Sequence, residues 1–229
     1  MRKYLIFISF ILGYNLRVFS QETAISIFNE ETYMENLRRN LMGVEYQNPV
    51  EWYKGEQFFN IWTPGTIVFN DGKVVDGVYL QYEKFLDEVL WLREDFKIGI
   101  LNKSLVSEFI LFSKSGEQIA DFVKIRSIMP FEKDTTCHYL QLLESGEISL
   151  YAYRNVKKSS GKLLLVSNTK YLAGRKDKLE LVKLNKSRIF QIPGTDKERM
   201  KEILKTNHIK VKGNESEFAR ALNIYNQQQ

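Results

Sequence analysis

Cysteine and histidine are scarce in this chain of 229 residues, which has one Cys and two His. Because a disulfide needs two sulfurs, Cys137 cannot form one within the chain, so its stability must come from an ordinary hydrophobic core. Two histidines and one cysteine without short ligand spacing do not make a zinc site. Fifteen Phe, twelve Tyr and three Trp are plentiful enough to fill a core.

Motifs of common enzymes are also missing. The sequence has no Gly-x-Ser-x-Gly nucleophile elbow, no glycine-rich phosphate loop and no EF-hand loop. Two acidic pairs, at 87–88 and 94–95, flank a predicted strand and could suit a glycosidase. Both pairs fall at predicted turns, where charged side chains are normally solvated. We therefore predict no catalytic residue, no metal ligand and no cofactor.

Cys137 and His138 are adjacent and have the residue types of a cysteine nucleophile and its base, but strand geometry argues against such a pair. A cysteine nucleophile needs a base within hydrogen-bonding reach. Neighbouring residues on a strand point to opposite faces, so these two side chains are not expected to meet.

The one long apolar run lies at the N-terminus and has the composition of a signal peptide. Arg2 and Lys3 precede an apolar run of 12 residues (5–16). That run is too short to span a hydrocarbon core of about 30 Å. We interpret residues 1–20 as a signal peptide that is cleaved after Ser20, which predicts a periplasmic or secreted protein with no transmembrane segment in the mature chain.

Positive charge is concentrated in one part of the sequence. The formal charge of +5 falls to +2 without the three basic residues of the leader, but eleven basic residues oppose only Asp177 and Glu180 between positions 154 and 188. Such a region can attract phosphates, polyanionic glycans or a membrane surface, although lysines also protect strand edges and solubilise turns. The candidate anion-binding residues are Arg154, Lys157, Lys158, Arg175, Lys176 and Lys178.

Residues 51–190 are predicted to form an antiparallel β-domain with the topology of a β-meander, preceded by an acidic arm or short helix at 21–50. Asp71-Gly72 lies between runs rich in Val, Ile, Phe and Tyr, which predicts a hairpin, and similar Gly turns recur at 116, 146 and 161. Several strands are apolar on both faces, which favours a sandwich, a barrel-like sheet, or a sheet with a helix on its second face. Predicted strands are 65–70, 73–82, 88–93, 97–101, 105–112, 118–125, 137–143, 147–153, 162–167 and 179–184, with Tyr171 on a further short strand.

Residues 191–229 are predicted to form a pair of short helices. Thr195 and Glu198 have the spacing of a capping box, and the pattern recurs from Asn214 to Glu217. Helices of this length are marginal alone, so they must pack on the β-domain or on each other. Their predicted apolar faces are Met200, Ile203 and Leu204, and Phe218, Leu222 and Tyr225.

Aromatic residues crowd the approach to the first hairpin. Trp52, Tyr53 and Trp62 are candidate ligand-binding aromatics, since aromatic platforms bind sugars. The alternative is that this group, with Phe58 and Phe59, closes the end of the β-core.

Four segments of the sequence have a recognisable pattern: the leader ending in Phe19-Ser20-Gln21, Gly65-Thr66-Ile67 with Asp71-Gly72, Gly77, Leu80 and Tyr82, the segment from Tyr139 to Tyr151, and the closing Ile224-Tyr225-Asn226. In these segments the chain resembles secreted β-rich proteins of Bacteroidetes type whose function is uncharacterised. The resemblance implies an envelope β-protein and brings no catalytic residue with it.

Together these features predict a mainly β (α+β) protein that is exported and non-enzymatic, acting by binding or as part of an envelope assembly. Its candidate partners are an envelope protein or an anionic surface, and nucleic acid is not expected for an exported protein. The alternative is a hydrolase acting on an envelope or dietary polymer. A pocket with converging titratable groups would favour that alternative.

Overall fold

The computed structural model describes residues 57–126, 137–158, 165–175 and 178–228, all within one compact unit. The predicted segments 1–20 and 21–50 lie outside the described residues. The strands are β1 (Thr63–Phe69), β2 (Val74–Glu83), β3 (Glu88–Leu92), β4 (Ile98–Ile100), β5 (Val106–Phe112), β6 (Gln118–Arg126), β7 (Cys137–Glu144), β8 (Ser149–Tyr153), β9 (Val156–Lys158), β10 (Leu165–Ser167), β11 (Lys170–Arg175) and β12 (Lys178–Val182). The helices are α1 (Lys186–Ile189), α2 (Lys197–Thr206) and α3 (Glu215–Gln227).

Ten strands form one antiparallel sheet in the order β12-β11-β8-β7-β6-β5-β1-β2-β3-β4, and β9 and β10 pair separately. The predicted mainly β fold is confirmed. The large sheet is not closed into a barrel, because β12 and β4 are its two edges. Gly72 and Gly116 have φ of 84° and 83°, the left-handed conformation that the predicted hairpin turns require.

The sheet curls, and aromatic side chains fill its concave face. Phe109 and Phe122 are cross-strand partners whose rings stack 4.6 Å apart, and Tyr139 meets Phe109 edge-on at 5.1 Å. Tyr82 contacts all three rings although three strands separate β2 from β7 in the sheet. Phe58 meets Phe122 edge-on at 5.1 Å, which agrees with an aromatic group that closes the end of the core.

The helices cover the concave face on the other half of the sheet, as the apolar stripes predict. Buried residues of the sheet and the helices form one cluster, in which Leu150 and Ala173 are cross-strand partners. Tyr151 and Leu172 occupy the opposite face and belong to a second buried cluster. Side chains on both faces of β8 and β11 are therefore buried, which agrees with the apolar character of both sides of these two strands. The helical members of the first cluster include Met200, Ile203, Leu204, Phe218, Leu222 and Tyr225.

Local details of the helical element differ from the prediction. Asp196, and not Thr195, caps α2, because its carboxylate accepts a hydrogen bond from Arg199 N at 2.8 Å. Asn214 caps α3 as predicted. The four-residue α1 was not predicted, since its sequence is too short to show a helical period. In the described part of the chain no helix combines the length and apolarity needed to cross a membrane.

Candidate functional site

A cavity of about 520 Å³ lies where the β11–β12 hairpin meets α1. Its apolar lining comes from Tyr171, Leu181, Val182 and Leu184. The register places Tyr171 opposite Val182, and Gly213 N donates to Leu184 O at 2.7 Å, so backbone hydrogen bonds hold these walls. The volume is within the range of about 300–1,000 Å³ that is typical of small-molecule sites.

Among the described residues, three cationic side chains and no acidic one belong to the lining of this cavity. They are Lys170, Lys183 and Arg188, of which Lys183 and Arg188 are exposed. Lys170 directly precedes Tyr171 and Lys183 directly follows Val182, so the two lysines are neighbours at the open end of the hairpin. Both residues place positive charge at this end of the hairpin, and positive charge attracts anions.

Tyr171 lines the cavity and also interacts with a network of charged residues that includes Glu215 and Arg154. Burial raises the pKa of its hydroxyl, and the nearby Glu215 carboxylate raises that pKa further. Arg154 opposes this effect because its positive charge favours the phenolate. The tyrosine is therefore neutral at physiological pH, and it lies beside the ion pair of Arg154 and Glu215.

Arg154 is the centre of that network and is not a free anion-binding group. Its Nη1 and Nη2 donate to the two carboxylate oxygens of Glu215 at 2.9 and 2.7 Å, and its Nε donates to Gln141 Oε1 at 2.7 Å. Glu215 is the first residue of α3, so this bidentate pair fixes the start of the helix to the end of β8. At the other end, Asn226 exchanges hydrogen bonds with the backbone of Ile148.

Of the other candidate basic residues, Arg175 lies far from Arg154. Arg175 pairs with Glu147 at the opposite end of the β8–β11 ladder, because Gly174 lies across from Ser149 and Lys170 across from Tyr153. Lys157 and Lys178 are exposed. Of the remaining two, the Lys158 side chain and all of Lys176 lie outside the described residues.

Among the candidate aromatics, only Trp62 lies in the described part of the chain, where it is half-buried just before β1. Trp52 and Tyr53 lie outside it.

A second cluster of polar groups surrounds Asp87, which corrects the expectation of a solvated turn. Asp87 is 5% exposed and has a φ of 57°, unusual for a residue with a side chain. Its Oδ2 accepts from Lys103 Nζ at 2.5 Å and contacts His138 Nδ1 at 2.9 Å. Its Oδ1 accepts from Tyr82 Oη at 2.7 Å and Tyr139 N at 3.3 Å. The carboxylate thus ties the β2–β3 turn to β7 and to the β4–β5 loop.

These contacts alter the proton affinity of the buried tyrosines. Burial raises the pKa of Tyr82 well above its ordinary value, and the Asp87 carboxylate raises it further. The pKa of Tyr139 is raised by the same two causes in the same order. Both hydroxyls therefore stay protonated, and Tyr82 remains a hydrogen-bond donor to Asp87.

Asp121 lies on the convex face of the sheet, where one of its carboxylate oxygens, Oδ1, is buried without a hydrogen bond within the described part of the chain. Burial, and secondarily the charge of Glu108, raises the pKa of Asp121 to about 6.

Asp121→Asn is expected to stabilise the protein at neutral pH but not at pH 4. The folded-state pKa lies above the ordinary value of 3.8, so the native state binds the proton more tightly and loses stability as pH rises from about 4 to about 6. Because the group is partly solvated, we expect a gain of only about 1 kcal/mol at pH 7.5. Urea unfolding of both proteins at the two pH values measures it.

Glu108→Gln provides the control. It removes the charge that is the smaller cause of the raised pKa of Asp121, so it should give a smaller gain in stability at pH 7.5, of the same sign. An equal gain from Asp121→Asn at both pH values would contradict the assignment.

No group of three or more His, Cys, Asp or Glu residues is arranged to hold a metal ion within the described ranges. The charge count along the sequence found the basic segment but did not single out Lys170, Lys183 and Arg188, because only the fold shows which cations line a cavity. No family model, curated protein or solved structure matches this chain.

Proposed function

We propose that this chain is an exported envelope or secreted protein that acts by binding, and that the cavity beside β12 holds an anionic ligand. The observation that carries the proposal is a ligand-sized cavity whose lining, within the described ranges, has three cationic residues and no acidic one. A cleft lined by charge of one sign concentrates ligands of the opposite charge. Arg188 can also form paired hydrogen bonds with a planar anionic group.

The composition of the leader supports export. The mature N-terminus is expected at Gln21, and Edman or mass-spectrometric sequencing of the protein from the periplasm or medium measures it. Recovery of the intact Met1 end from the soluble cytoplasm would contradict export.

A pair of fluorescent probes with matched rings tests the anion preference. We expect anilinonaphthalene sulfonate to bind more tightly than phenylnaphthylamine, which lacks the sulfonate. Arg188→Gln and Lys183→Gln should each weaken binding of the sulfonate by about two- to fivefold, the range of an exposed charge pair, and less so at high salt.

Lys114→Gln is the matched control, because Lys114 is an exposed lysine on the β5–β6 hairpin, distant in the sheet order. Equal affinity for the two probes, or equal weakening by Lys114→Gln, would contradict the proposed site.

A hydrolase remains the second candidate function because of the contact between Asp87 and His138. A carboxylate that orients an imidazole is a common arrangement in general-base catalysis. The same carboxylate also accepts hydrogen bonds from Lys103 and Tyr82, which favours a structural role. Hydrolysis of an envelope polymer that disappears in His138→Gln, with unchanged stability, would favour the hydrolase over the binding protein.

A further inference from the structure

We infer that the ligand of the cavity beside β12 is a single-chain anionic amphiphile, such as a medium-chain fatty acid. This inference rests on the proposed function and adds the chemical class of the ligand. A compact anion would need only the cations, whereas this cavity also presents Leu181, Val182 and Leu184.

The shape of the cavity suits a chain. Leu181 and Val182 are consecutive on β12 and therefore point to opposite faces of the sheet, yet both line the cavity. Because β12 is an edge strand, the cavity lies along the edge of the sheet. A flexible alkyl chain can follow such a surface.

Leu181 is an exposed apolar residue in the lining of the cavity. Its side chain is 42% exposed, although the adjoining Leu184 is 8% exposed and packs in the helical cluster. Burying an exposed leucine against an alkyl chain is favourable, because it removes apolar area from water on both partners.

The charges are positioned for the acidic head of the same molecule. Lys170 and Lys183 are neighbours at the end of the hairpin, and Arg188 lies on α1, which begins where Asn185 accepts from Arg188 N at 2.9 Å. A carboxylate there would be attracted by these cations, while its chain extends over Leu181.

A peptide added to the edge of β12 is the main competing occupant. The strand has only five residues, Lys178–Val182, with Lys178 at one end and Lys183 just beyond the other. Short edges that carry lysines disfavour pairing with another strand. The structure therefore favours the amphiphile.

A series of linear fatty acids tests the inference by calorimetry on the mature chain, below their micelle-forming concentrations. From hexanoate to dodecanoate, we expect affinity to rise about two- to fourfold per methylene and then level off when the chain outgrows the cavity. Fourfold is the effect of one fully buried methylene, and partial exposure reduces it. Decanol should bind more weakly than decanoate.

Two variants separate the head from the chain. Arg188→Gln should weaken every acid by the same factor, whereas Leu181→Ser should reduce the gain per methylene. Leu86→Ser is the matched control, because Leu86 is a 52% exposed leucine in the β2–β3 turn. It should change neither quantity.

The outcomes distinguish this inference from the proposed function. Affinity that is independent of chain length, or a gain per methylene that Leu181→Ser leaves intact, overturns the amphiphile while anion binding stands. Absence of binding by the fatty acids and by anilinonaphthalene sulfonate overturns both. Binding of an extended peptide that decanoate does not displace would assign the edge to a peptide.

Discussion

Asp87→Ala is expected to lower the free energy of unfolding by about 2–4 kcal/mol, among the largest effects of a single substitution outside the hydrophobic core. The change removes the acceptor of Lys103, Tyr82 and the Tyr139 N–H, and leaves these buried or half-buried donors without it. It also separates the β2–β3 turn from β7, which the curled sheet brings together. Urea unfolding at pH 7 measures the loss.

Two further variants separate the causes of this loss. Asp87→Asn keeps hydrogen-bonding oxygen and tolerates a φ of 57°, so it should cost less than Asp87→Ala. Asp87→Gly removes the side chain but relieves the backbone, and should be less destabilising than Asp87→Ala by up to about 1 kcal/mol. A loss below about 0.5 kcal/mol for Asp87→Ala would contradict the proposed role of Asp87 in joining the β2–β3 turn to β7.

The role of Asp87 could not be predicted from the sequence because its partners are distant along the chain. Lys103 is 16 residues away and His138 is 51 residues away. A charged residue between two strands has the local pattern of a solvated turn, and nothing in that pattern reveals that the sheet curls. The prediction that His138 points away from Cys137 used only strand geometry, and it omitted the carboxylate that the curl brings to the imidazole.

The strands themselves were predictable because their determinants are local. Glycine at a left-handed turn and alternating apolar residues act within a few positions, and β2, β3, β5 and β6 appear within two residues of their predicted ends. The order in which the strands pair could not be predicted in this way. The sheet places β1 between β5 and β2, and this arrangement depends on long-range packing.

The basic segment shows the same division between local composition and spatial arrangement. Counting charge along the sequence found the excess but assigned Arg154 and Arg175 to anion binding. Glu215 is 61 residues from Arg154 and Glu147 is 28 residues from Arg175, so neither partner appears within a local window. The cations that line the cavity belong to the same excess, and only the fold brings Lys170, Lys183 and Arg188 to one place.

Removal of residues 195–229 is expected to abolish the soluble, cooperatively folding protein. The deletion takes α2 and α3 from a shared cluster and exposes Ile148, Leu150 and Ala173, which are at most 1% exposed. Burying each large apolar side chain contributes about 1.5–3 kcal/mol, so losing several exceeds the usual stability of a domain. Size-exclusion chromatography and thermal melts of the truncated chain measure the outcome.

Phe218→Ala gives a milder test of the same packing, since this fully buried ring should cost about 3–5 kcal/mol. Arg220→Ala, on the same helix with a side chain that is 54% exposed, is the control and should cost less than about 0.5 kcal/mol. If the truncated chain instead melts as cooperatively and at as high a temperature as the full chain, the helices do not stabilise the sheet. Their apolar faces would then replace the cavity beside β12 as the best candidate for a binding surface.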